Sequence, residues 1–205
     1  SPVGSYTLRT VATDRAGNIA TRTVSFVVDR TPPVIAVTGV TNGEIRNTDV
    51  TAHVAVTDAR AVSALIFVDG IAYSNDFTIS TEGGHNLIVR AIDELGNRTE
   101  LTIRFTIDRT APVISIVGAT NGGIYPAPLS ILVSITDTAS TRTSVVLSGA
   151  PAGRSFIVTN GGAHSLLVSA TDAAGNRSDT DIQFAVDAKA PTVVITGVGP
   201  AGYVS

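Results

Sequence analysis

The sequence repeats itself with a period of 79 residues, and no other feature limits the possible folds as much. Thr13-Asp14-Arg15-Ala16-Gly17-Asn18, Ile92-Asp93-Glu94-Leu95-Gly96-Asn97 and Thr171-Asp172-Ala173-Ala174-Gly175-Asn176 stand one period apart. Phe26, Phe105 and Phe184 keep the same step, as do Asp29, Asp108 and Asp187, and Gly39, Gly118 and Gly197. Self-similarity at a fixed period means an array of small units rather than one large core. In this frame residues 1–29 are the end of one repeat, 30–108 and 109–187 are complete repeats, and 188–205 begin the next. A repeat of this length can bury one modest core. The phase, together with 0 Met, gives the expectation that the chain is a window on a longer repetitive protein. A further domain made by joining the two ends is not expected. Residues 1–29 offer two strands and 188–205 about one, against roughly seven in a sandwich.

Within each repeat the apolar residues alternate with period two, and Val, Ile and Thr dominate, which favours strands. Ile35 and Val37 mark a strand after Pro32-Pro33, and Asn42-Gly43 turns the chain. Val50, Ala52, Val54 and Val56 then point one way as far as Asp58; Leu129, Ile131, Val133 and Ile135 do so as far as Asp137. Leu65 to Val68 and Phe77 to Ile79 follow, with residues 69–76 read as a loop carrying one exposed tyrosine, Tyr73. His85, Leu87, Val89 and Ala91 share a face that closes at Asp93. After the Gly96-Asn97 turn, Leu101, Ile103, Phe105 and Ile107 return antiparallel. Strands separated by turns at about 8–12 residues predict an all-β fold of tandem immunoglobulin-like β-sandwiches, about seven strands each, in an extended array.

Composition excludes several functions. With 0 Cys there are no disulfides or thiolate metal sites. A net charge of −3 with scattered basic residues argues against nucleic acid. No run of about 18 apolar residues is present to span a membrane. There is no Gly-x-Ser-x-Gly elbow and no Gly-rich phosphate loop opening a helix, so an enzyme is not expected. The sole lysine, Lys189, falls in a linker and leaves both complete repeats without a lysine for a crosslink.

The pattern Tyr6-x-Leu8-x-x-x-Ala12-x-Asp14-x-Ala16-Gly17-Asn18, followed by Phe26-Val27-Val28-Asp29-Arg30-Thr31-Pro32-Pro33, recurs from His85 to Pro112 and from His164 to Pro191. It resembles the bacterial immunoglobulin-like repeats of large surface proteins and adhesins. The resemblance implies an exported prokaryotic protein at the cell surface, with this segment serving as a stiff spacer, stalk or fibre-forming array. Its expected partners are neighbouring repeats of the same chain and, through self-assembly, other copies. The alternative it leaves is a displayed binding module, an adhesive or carbohydrate-binding domain.

In an immunoglobulin-like topology the loop after the second strand, the turn between the last two strands and the incoming linker share one end. This gathers Asp29, Asp58, Asp93 and Asn97 in the first complete repeat, and Asp108, Asp137, Asp172 and Asn176 in the second. Carboxylates and an amide from separate segments suit Ca²⁺, a hard cation that takes six to eight oxygens; calcium-stiffened junctions are known among the adhesins the chain resembles. The other reading is turn chemistry: Asp in Asp-x-x-Gly-Asn accepts backbone N–H bonds of its own turn, and Asp29 caps the linker or pairs with Arg30. Both stand at this point, and no other cofactor is implied. His85 and His164 occupy the place of Tyr6, where related sandwiches hold a corner tyrosine bonded back to the backbone. His53 is expected to face solvent. Asn97-Arg98-Thr99 and Asn176-Arg177-Ser178 match the glycosylation acceptor pattern but fall on the tight turn, and are read as chance.

Overall fold

Alternation is what the chain converts into strands. A computed structural model describes residues 3–139 and 141–194; the stretch of the next repeat from 195 on, with Gly197, lies outside the described residues. The strands are β1 (Gly4–Thr13) and β2 (Ile19–Val28), then β3 (Val34–Thr38), β4 (Glu44–Arg46), β5 (Val50–Thr57), β6 (Val62–Val68), β7 (Ile71–Tyr73), β8 (Asp76–Ile79), β9 (Gly83–Asp93) and β10 (Arg98–Ile107). One repeat later come β11 (Val113–Val117), β12 (Ile124–Pro126), β13 (Leu129–Thr136), β14 (Arg142–Leu147), β15 (Ala150–Pro151), β16 (Ser155–Val158), β17 (Gly162–Thr171) and β18 (Arg177–Asp187). No helix occurs among the described residues, so none is long and apolar enough to cross a membrane.

The chain divides into two compact units, Ser1–Arg109 and Thr110–Ser205. In the first, a three-stranded sheet ordered β3-β5-β8 and a five-stranded sheet ordered β4-β10-β9-β6-β7 share one core. Leu87, Val54, Val89 and Ile107 are fully excluded from solvent there. On β9 every second residue from His85 to Asp93 is buried, so one strand carries both the core and a polar residue at each end of it. The second unit repeats the arrangement with sheets β11-β13-β16 and β12-β18-β17-β14-β15, around Ile131, Leu166 and Val168. Burying a Leu or Val side chain contributes roughly 1.5–3 kcal/mol, which makes these alternating faces the main source of stability.

Two differences from the expected strands have physical causes. The short edge strands β4 and β7 were not expected, since three residues are too few to show a period of two. β4 pairs parallel with β10, Phe105 opposite Glu44, and β7 folds back on β6 across Asp69-Gly70. Tyr73 therefore does not stand exposed in a loop. It packs on the core with its ring 5.3 Å from that of Phe77. Gly39 and Gly118, one repeat apart, stand where the backbone comes too close for a side chain. A Cβ on either would stand 2.1 Å from a carbonyl oxygen, of Thr51 and Ser130 respectively, so each strand leaves β3 or β11 pressed against its neighbour's backbone.

The hairpin β1–β2 has the register of β9–β10 without its surroundings. Tyr6 faces Phe26 as His85 faces Phe105, with rings 5.6 and 5.1 Å apart. Yet Leu8 and Phe26 are 59% and 47% exposed, where their equivalents Leu87 and Phe105 are 0% and 3%.

Candidate functional site

The site starts from a turn that builds itself. In the exposed hairpin, Asp14 Oδ1 accepts the N–H groups of Ala16 and Asn18 at 2.8 and 2.9 Å, and Oδ2 accepts Asn18 Nδ2 at 2.8 Å. The side-chain and backbone bonds from Asn18 lead those holding the Asp14 carboxyl below the usual aspartate range. Asp93 takes the same set: Leu95 N at 2.9 Å and Asn97 N at 2.8 Å on Oδ1, Asn97 Nδ2 at 2.7 Å on Oδ2. Asp172 receives Asn176 N at 2.8 Å and Asn176 Nδ2 at 2.7 Å. Since Asp14 completes its bonds on a bare hairpin, the turn chemistry expected of Asp-x-x-Gly-Asn needs no metal and no neighbouring loop. Asp93 differs in being buried. Burial pushes its carboxyl up, but the bonds from Asn97, Leu95 and Gly96 outweigh this and hold it below the ordinary value.

In the first unit the turn also holds the incoming linker. Asn97 Nδ2 reaches the Asp29 carbonyl at 3.3 Å, and Thr99 Oγ1 donates to the Pro33 carbonyl at 2.5 Å. Asp29 caps the linker by accepting Thr31 N–H on Oδ1 at 2.9 Å, and Asp58 accepts Arg60 N–H on Oδ1 at 2.9 Å. One carboxylate oxygen from each of Asp29, Asp58 and Asp93 lies within 4.8 Å of the other two. No arginine or lysine forms an ion pair with any of the three among the described residues. Three like charges this close repel one another unless a cation or proton intervenes. A carboxylate has room for about four acceptor contacts, so each of the three keeps lone pairs beyond its turn bonds, and the Asn97 Oδ1 is left over as well. An all-oxygen set of this kind fits a hard divalent cation.

In the second unit Asp137 accepts Ala139 N–H on Oδ1 at 2.7 Å, while its Oδ2 is buried with no hydrogen-bond donor among the described residues. Asn176 Nδ2 also reaches the Thr110 carbonyl, at 3.4 Å. Asp108 belongs to the first unit, where its N–H donates to the Arg46 carbonyl at 2.8 Å. Two clamps were not expected from the sequence. Thr99 carries no signal beyond its place after Asn97-Arg98. Arg109 donates to the Ser80 carbonyl at 2.5 Å and pairs with Asp49, and its counterpart at 188 is alanine.

The histidines behave as the corner position implies. His85 Nε2 lies 2.8 Å from the Thr81 carbonyl and His164 Nε2 2.9 Å from the Asn160 carbonyl, each four residues upstream. The other ring nitrogen meets Asp69 Oδ2 at 2.7 Å in the first unit and Ser148 Oγ at 3.2 Å in the second. His53 is solvent-exposed and pairs with Asp76 at 2.7 Å.

Two-sheet sandwiches repeated in tandem, with the last hairpin folded onto the linker before them, define immunoglobulin-like domains. The chain belongs to the bacterial Ig-like domain family (group 3), whose model matches residues 1–72 and 71–160. No curated protein matches the sequence. Among solved structures, the chain is similar to the fibronectin(III)-like modules of Clostridium thermocellum CbhA, at 18% identity and TM-score 0.40, covering 76% of this chain and 94% of that one. It is similar to extracellular cadherin domains 3–6 of Protocadherin Gamma B2 at 15% identity and TM-score 0.38, over 97% of this chain and 61% of the other. A Ca²⁺-stabilised adhesin of an ice-binding Antarctic bacterium follows at 16% identity and TM-score 0.32, over 89% and 57%. Scores of this size carry no reading of function.

Proposed function

We propose that this chain is a non-catalytic structural segment of an exported prokaryotic surface protein, a stiff spacer whose domains run 30–108 and 109–187. The observation that carries the reading is the pair of bonds from the Asp93 turn to the incoming linker, Asn97 to the Asp29 carbonyl and Thr99 to the Pro33 carbonyl. A spacer transmits force and direction through its linkers, and here a side-chain amide and a hydroxyl fasten the linker to the domain it enters. Pro32 and Pro33 remove further backbone freedom at the same place.

The same residues form a calcium site in this reading. Asp29, Asp58 and Asp93 supply carboxylates and Asn97 an amide oxygen; the ion would neutralise the carboxylates and tie linker, loop and turn together. The sequence repeats these residue types at Asp108, Asp137, Asp172 and Asn176, and the reading extends to them. The experiment is thermal melting of the chain in calcium and in EGTA, with backbone relaxation of the Asp29 to Thr31 amides in the same samples. At a hundredfold excess over Kd, an ion bound only to the folded state adds about 2.7 kcal/mol, and Asp58→Ala abolishes the response. Unchanged melting removes the calcium site. Linker amides that move faster than those of β9 in both samples remove the stiff spacer as well, and specific binding on a glycan array would replace it with a binding module.

A further inference from the structure

Three Asn-Gly pairs occur in the chain, each preceded by threonine: Thr41-Asn42-Gly43, Thr120-Asn121-Gly122 and Thr159-Asn160-Gly161. The last two also continue identically, into Gly123 and Gly162. Asparagine before glycine is the pair in which the next main-chain nitrogen reaches the side-chain amide carbon with least hindrance, since glycine has no Cβ and a wide choice of φ. Near-identical flanks give the three sites similar intrinsic reactivity. Any large difference between them in the native chain must come from the fold.

The fold separates them sharply. Asn42 Oδ1 accepts the Arg104 N–H at 2.9 Å while Gly43 N–H donates to the Arg104 carbonyl at 2.6 Å. Both reacting groups are thereby pinned to β10. Asn121 and Gly122 repeat this on β18, with Gln183 N–H at 2.8 Å and the Gln183 carbonyl at 2.6 Å. At the third pair neither group is held. Asn160 and Gly161 are exposed, and among the described residues neither the Asn160 side chain nor the Gly161 N–H is recorded in a hydrogen bond. Only the Asn160 carbonyl is engaged, accepting His164 Nε2 at 2.9 Å.

We infer that Asn160-Gly161 is the deamidation site of this protein, the position at which the folded chain converts asparagine to aspartate and isoaspartate. The Gly161 nitrogen gives up its proton to solvent base and attacks Asn160 Cγ. Solvent returns a proton to Nδ2, the bond from Cγ to Nδ2 breaks and ammonia leaves, closing a succinimide ring. Water then adds to one of the two ring carbonyls and opens it, giving either aspartate or an isoaspartate whose main chain is one carbon longer. Nothing is oxidised or reduced, and the chain gains one negative charge. The added carbon falls in the residue whose carbonyl holds His164, so the corner bond that starts β17 is what the isoaspartate form loosens.

The test is to incubate the whole chain, folded, in warm mildly alkaline buffer and to follow the three sites by peptide mapping that separates isoaspartate from aspartate. A second incubation in urea supplies each site's unfolded rate, by which its folded rate is divided. Opening two hydrogen bonds is required at Asn42 and Asn121 and none at Asn160, so the normalised rate at Asn160 exceeds the other two by roughly tenfold or more. Asn160→Gln removes the acidic variant that accumulates in the folded sample, and the His164 ring signals then stay unchanged on ageing. Equal normalised rates at the three sites, or a faster rate at Asn42 or Asn121, would overturn the assignment.

Discussion

Asp93 performs the task of Asp14 and adds a second. Both carboxylates close the same turn with the same amide, but only Asp93 does so buried and beside Asp29 and Asp58. Its carboxyl is held below the ordinary aspartate value in the folded state. The sign follows from linkage: the bonds stabilise the ionised form, so the contribution is fully present above the unfolded value of about 4 and is lost as pH falls through the lower folded value. In EGTA, urea midpoints of the first unit should therefore decline below about pH 4, and Asp93→Asn should be less stable at neutral pH with a flatter acid slope. The asparagine would turn an N–H toward Asn97 Nδ2, setting donor against donor. An Asp93→Asn variant with the parent's full acid slope would show that other carboxylates carry the dependence. At this level the sequence told a good deal. The turn was legible because Asp, Gly and Asn each have one local reason to be there, and His85 because it stands where Tyr6 stands. The Asp29 and Pro33 carbonyls that receive Asn97 and Thr99 were not, since main-chain atoms leave no trace in residue type.

The hairpin of β9 and β10 is the element on which the first domain is assembled, as β17–β18 is in the second, and β1–β2 keeps the same register with its apolar face exposed. Leu8, Leu87 and Leu166 occupy one repeat position, yet Leu8 is 59% exposed while the other two are fully buried. The identical substitution to alanine should therefore give opposite results. Leu87→Ala removes a closely packed side chain and costs about 2–5 kcal/mol; Leu8→Ala changes stability by no more than about 0.5 kcal/mol. Denaturant titration of the two variants checks this, and a cost at Leu8 comparable to that at Leu87 would mean the hairpin's apolar face is covered in solution. Strands with four or more alternating positions, such as β5, β9 and β10, could be read directly from the sequence. β4, β7, β12 and β15 could not. They are two or three residues long and are held by pairing with β10, β6, β18 and β14, a tertiary cause that no local pattern records.

Repetition also determines how stability is distributed through the molecule. The core around Leu87 and the core around Leu166 have no residue in common, and each is closed by its own pair of sheets. In repeat architectures stability is a sum of unit terms and neighbour terms, and two-state behaviour of the entire chain is not guaranteed when cores are separate. The two equivalent leucines allow the terms to be separated. Leu87→Ala should lower the unfolding midpoint of residues in β5, β9 and β10 while those in β13, β17 and β18 keep theirs, and Leu166→Ala should do the reverse, both followed by hydrogen exchange along the chain. If either substitution lowers both sets of midpoints by the same amount, the neighbour term dominates and the array unfolds as one body. If the effects stay separate, the neighbour term is small and each domain opens on its own.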